Sequence, residues 1–138
     1  MAVGFFVDPI FYKIGTGDFF NSFFSTIYIK IEDSDWGSRF PILMNDLYQG
    51  KIDKTDMKNA KQELTNLKTE LGKLPPTEIV WDFEDLSVSP PWGNNISNNI
   101  TNMANYFVTS DGENLLDILE KALNASLEID EDVIVRSI

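Results

Sequence analysis

Cysteine and histidine are both missing from the 138 residues. Without cysteine there can be no disulfide, no thiolate nucleophile and no thiolate-bound zinc or iron–sulfur centre. Without histidine, the side chain that most often serves as general base near neutral pH is gone, and so is the commonest zinc ligand. Carboxylates, lysines, tyrosines and hydroxyls remain for chemistry. Long apolar runs are missing too, since no stretch approaches the roughly 18 residues a membrane helix requires. The opening segment has no basic leader region and meets Asp8 too early for a secretory signal. A cytoplasmic location is therefore expected, with no membrane partner.

Positive charge is scarce: 11 lysines and arginines stand against 22 acids, for a net charge of −11. The imbalance is local. Residues 1–50 carry −3, residues 51–77 carry +2 and residues 78–138 carry −10. A field of that sign repels a phosphate backbone, which argues against nucleic acid as a partner. It would attract a basic protein and speed the encounter at low salt. The plainer reading is that the acids keep the chain soluble.

With 43% hydrophobic residues and this length, the chain can bury roughly two-thirds of its unfolded surface, so one domain over residues 1–138 is expected. Ala2 to Val7 and Ile10 to Ile14 read as short extended pieces around Asp8-Pro9. Gly15 to Asp18 reads as a turn, with Asp18 as a helix cap. Phe20, Phe23, Phe24, Ile27 and Ile31 then share one helical stripe between Phe19 and Glu32. A short helix over Ile42 to Gln49 turns Leu43, Met44 and Leu47 inward and ends at Gly50.

A helix over Thr55 to Leu71 aligns Met57, Ala60, Leu64, Leu67 and Leu71, with Thr55 as cap and Gly72 after its end. Glu78 to Phe83 alternates as a half-buried strand, and Tyr106 to Val108 reads as another. A last helix over Glu113 to Leu127 has a wide apolar face that includes Leu127, and Val133 to Arg136 reads as a final strand. The resulting fold class is α+β, a small and largely antiparallel sheet packed by three or four helices.

Chemistry has few places to sit. On a strand, Asp82 and Glu84 would project from one face, close enough to share a proton or a divalent ion such as magnesium. The same pair also reads as a solvated strand end. Gly15-Thr16-Gly17 lacks the remaining elements of a phosphate loop, and Asp130-Glu131-Asp132 lacks those of a calcium loop. No catalytic residue, metal site or cofactor is assigned. Trp36 and Trp92 stand in loop segments that no periodicity places in a core, and each either folds back as a plug or serves as an interface anchor.

Three stretches carry a resemblance. The first is Gly37-Ser38-Arg39-Phe40-Pro41-Ile42-Leu43-Met44-Asn45-Asp46-Leu47-Tyr48-Gln49-Gly50. The second runs Leu74-Pro75-Pro76, Val80-Trp81-Asp82-Phe83-Glu84-Asp85-Leu86 and Pro90-Pro91-Trp92-Gly93. The third is Asn105-Tyr106-Phe107-Val108-Thr109-Ser110-Asp111-Gly112. Together they resemble the immunity protein 70 family of bacterial polymorphic toxin systems, over nearly the whole chain. The resemblance implies a protein made beside a toxin that binds and neutralises the toxic domain, and it transfers no catalytic residue.

The function expected is toxin neutralisation by a non-enzyme, with a cognate toxin domain as partner, a basic one if charge steers the encounter. Asp82, Glu84, Asp85, Trp92 and Asp111 are the expected contact residues. Two rivals stay open. One is a carboxylate-dependent hydrolase using Asp82 and Glu84. The other is self-association through the Thr55–Leu71 helix, since the sequence leaves the oligomeric state undecided.

Overall fold

The structure, a computed structural model, describes residues 2–93 and 95–137. Four strands form one antiparallel sheet in the order β2-β1-β4-β3. β1 (Ala2–Val7) and β2 (Ile10–Thr16) make the hairpin expected around Asp8-Pro9, whose peptide bond is cis. β4 (Val133–Ser137) pairs with the other edge of β1, and β3 (Lys51–Ile52) adds two residues beyond it. Phe5, Val7, Ile14, Ile52 and Val133 are fully buried on the inner face of this sheet. At Gly4 the strands come so close that a Cβ atom would stand 2.4 Å from the Tyr12 carbonyl oxygen, which excludes any side chain there.

α1 (Gly17–Thr26) brings the phenylalanine stripe onto the sheet, and Phe20, Phe23, Phe24, Ile27 and Ile31 are all buried. The cap is Thr16, not Asp18: the Thr16 hydroxyl accepts from the Phe19 N–H at 3.1 Å. The strand therefore runs to the helix without an intervening turn, and Asp18 lies in the first turn. Over Ile27–Ile31, a stretch rich in β-branched residues, the winding widens to a π-helical turn. Ile42–Leu47 is also π-helical, with Leu43, Met44 and Leu47 inward as expected and Gly50 following at φ 112°.

α2 (Met57–Gly72) begins after a single 3-10 turn over Lys54–Asp56, whose cap is Asp53 and not Thr55. Gly72 is the last helical residue and not a left-handed terminator. Met57, Ala60, Leu64, Leu67 and Leu71 are each at most 1% exposed, so the seam that could have paired two copies is used inside the fold. It packs against α3 (Leu115–Ile129) and the π-helical segment more than on the sheet. α3 is capped by the Asn114 side chain, and its face of Leu115, Leu116, Leu119, Ala122 and Leu123 is buried. Leu127 departs from that expectation: it is 43% exposed.

From α2 the Glu63 carboxylate accepts from the Ile42 and Leu43 N–H groups, capping the π-helical segment across 20 residues of sequence. Burial pushes its pKa above the ordinary glutamate value of 4.5, outweighing those two donors, and Asp46 and Glu32 add to the shift. The folded chain thus holds this proton more tightly than the unfolded chain. Its contribution to stability is fully present below about 4.5 and is lost as pH rises through the raised folded value. The thermal midpoint of the native protein minus that of Glu63→Gln is expected to fall over that window. A difference that stayed flat with pH would contradict the assignment.

Candidate partner-binding face

Between Glu78 and α3 the described residues form no strand ladder, only an isolated bridge between Val108 and Asn114. Both strands expected here, Glu78 to Phe83 and Tyr106 to Val108, are absent. A stretch of this length without regular elements is unusual in a small domain and is commonly a functional loop.

Its backbone is satisfied by side chains instead of a neighbouring strand. Thr26 on α1 accepts from the Val80 N–H at 3.0 Å, and Ser25 accepts from the Phe83 N–H at 3.1 Å. This docking buries Val80 against the helix and leaves Ile79 and Trp81 only partly covered, whereas the strand reading set Ile79, Trp81 and Phe83 on one face against Glu78, Val80 and Asp82. Further on, the Met103 N–H donates to the Leu74 carbonyl and the Ser110 N–H to the Ile14 carbonyl, each about 3 Å long. Met103, Tyr106 and Phe107 plug the core.

The hydroxyl of Thr26 is thus one of two points that hold the loop to α1, and the buried one. Thr26→Val keeps the shape but leaves the buried Val80 N–H without an acceptor, which costs about 2 kcal/mol. Urea unfolding should show that loss, with faster hydrogen exchange at the Val80 amide. An unchanged midpoint and exchange rate would show that the loop is held elsewhere.

On this loop Trp92 is 38% exposed. Its indole N–H donates to the Tyr106 hydroxyl at 2.8 Å, and its ring meets Trp81 edge to face at 5.3 Å between centroids. Burial raises the Tyr106 pKa, so the phenol stays protonated and the pair is a neutral clamp. Trp92 lines two grooves, as does Phe19. One, of about 230 Å³, is lined by Phe19, Ile96, Ile100, Tyr106 and Val108 among others. The other, of about 600 Å³, is lined by Val3, Thr16, Asp18, Phe19, Trp81 and Pro91 among others.

Asp82 follows Trp81 directly, but its Oδ1 accepts from the Glu84 N–H at 2.9 Å in a turn, so the two carboxylates do not share a strand face. Asp85 closes the next turn. It accepts from both the hydroxyl and the N–H of Ser87, and these bonds lower its pKa. Asp111 is exposed in the turn that closes through Gly112 to Thr109.

Of the five expected contact residues, Trp92 lines both of these grooves and the other four line neither. Asp18, which does line one, was read from sequence as a cap, and only the meeting of α1 with the loop gives it this position. Phe19 and Tyr106 are likewise brought to Trp92 by the fold.

Residues 74–120 contain no lysine or arginine. Among the described residues Asp18, Asp82, Glu84, Asp85 and Asp111 form no ion pair, while Glu78, at the start of the segment, pairs with Lys30 at 2.8 Å. Trp36 behaves differently from Trp92. Its N–H donates to the Met44 carbonyl at 2.8 Å and its ring sits among Phe24, Tyr28, Tyr48 and Phe83, so it is a plug.

The family model described as immunity protein 70 matches residues 5–135, nearly the whole chain. The chain belongs to the immunity protein 70 family. No curated protein and no solved structure matches it. The matched span of this immunity protein contains the three α-helices, the loop segment around Trp92 and all of the sheet but the first residues of β1 and the last of β4. Among the described residues, no helix is long and apolar enough to cross a membrane, and no group of three or more acidic side chains is placed to hold a metal ion.

Proposed function

We propose that this immunity protein neutralises a cognate toxin domain by stoichiometric binding, as one domain, in the cytoplasm of the bacterium that makes it. The family match over residues 5–135 carries the reading. The partner belongs to a polymorphic toxin system, and the chain acts as an inhibitor and not as an enzyme. The contact surface is the face around Trp92, with Asp82, Glu84, Asp85 and Asp111 as charged surroundings. An exposed tryptophan held by a second indole and a phenol is a rigid anchor of the kind that dominates interface energetics.

The hydrolase alternative depended on a strand that would align Asp82 with Glu84, and that segment is a turn. It gains no support from the geometry. The test of the main reading is co-expression with the toxin domain encoded beside this chain. Restored growth together with a co-purifying one-to-one complex is expected. Good expression without rescue would remove the reading.

A further inference from the structure

The larger groove beside Trp92 joins three features. Its walls are apolar and aromatic, formed by Val3, Phe19, Trp81, Pro91 and Trp92. Asp18 supplies a carboxylate that has no ion-pair partner among the described residues. The long segment that provides both indoles is free of cations, so no side chain from it competes for that carboxylate.

We propose that this groove takes an arginine side chain of the partner polypeptide, with the guanidinium against an indole face and its N–H groups toward Asp18. The proposal rests on the toxin-binding reading for the partner's identity, though the groove's chemistry stands by itself. Two indoles set at 84° to one another leave a flat π-surface beside a perpendicular edge. A planar, weakly hydrated guanidinium lies against such a face and donates from its rim to a carboxylate at the same time. An ammonium is a strongly hydrated point charge and uses the flat surface less well. The surrounding excess of negative charge draws cationic segments toward the face and repels acidic ones.

Asp18 makes the idea testable without unfolding the protein, because the helix cap is Thr16 and Asp18 adds only its charge to the first turn, a minor contribution to the helix. The intact chain has three tryptophans, so three indole N–H resonances report separately. We would titrate the ¹⁵N-labelled protein with an acetylated, amidated glycine pentapeptide carrying two arginines, and with its citrulline counterpart. Citrulline keeps the length and most of the shape but has no charge. The arginine peptide is expected to shift the Trp81 and Trp92 indole signals and leave the plugged Trp36 unmoved. The citrulline peptide should shift none of them, and Asp18→Asn should weaken the arginine peptide about tenfold.

Equal shifts with citrulline, a response at Trp36, no response at all, or unchanged affinity in Asp18→Asn would each overturn the proposal. Growth rescue by the native chain with no peptide response would sink this inference and leave toxin neutralisation intact. A specific peptide response without rescue would do the reverse.

Discussion

Glu32→Ala is expected to remove about 4 kcal/mol of stability, a large share of what a domain of this size holds. Glu32 is 3% exposed. Its Oε1 accepts from the Gly37 N–H at 3.0 Å, and its Oε2 accepts from the N–H groups of Arg39 and Phe40 at 3.0 and 3.1 Å. One side chain thus organises the turn that carries Trp36 onto the core. Alanine would leave three donors without acceptors, and charge-assisted bonds of this kind are worth more than neutral ones. Glu32→Gln keeps the shape but points an amide N–H₂ at donors, so it should recover only a minor part of the loss. Urea unfolding followed by tryptophan fluorescence reads both variants. A loss below about 1 kcal/mol for Glu32→Ala would show that the loop holds itself without the carboxylate.

Trp92→Ala is expected to weaken toxin binding by a factor of about 30 or more, the range of an interface hot spot. The same substitution should cost the fold much less. Trp92 stands outside the continuous buried core, although it leaves the Tyr106 hydroxyl without its donor. A stability loss near 1 kcal/mol follows from that one bond. Trp92→Phe separates the two effects, since it retains a ring for the partner while removing the N–H. Binding that survives in the alanine variant would move the interface elsewhere. Parallel collapse of binding and thermal midpoint would make Trp92 a structural plug like Trp36.

The two tryptophans show how far local pattern reaches. Each occupies a loop with glycine beside it, and sequence alone offered both the same two roles. They differ because the Trp36 loop is pulled inward by Glu32, while the Trp92 loop rests on the outside of Trp81 and Tyr106. Glu63 and Thr26 teach the same lesson. Each satisfies backbone donors far away in sequence, and nothing in the neighbouring residues announces the partner.

The helices were the most legible elements. Phe20 to Ile31 and Met57 to Leu71 repeat at helical spacing, and burial of those faces is required whatever they pack against. The β1–β2 hairpin was equally readable, because Asp8-Pro9 interrupts two short apolar runs. The strand expected at Glu78 to Phe83 failed for a definite reason. Alternation signals a half-covered extended segment, but hydroxyls of α1 took the backbone groups that a neighbouring strand would have taken.

By itself, then, the sequence determined the α+β class, the apolar faces of the helices, the lack of histidine and cysteine chemistry, the acidic field and the resemblance to a family. These depend on residue type and near-neighbour spacing, which one chain displays in full. The tertiary structure alone decided which tryptophan is exposed, that Asp82 and Glu84 turn apart, and that Asp18 meets Trp81 and Trp92 in one groove. The groove depends on contacts between residues some 60 to 75 positions apart, and packing chooses among such contacts only when the whole core forms at once.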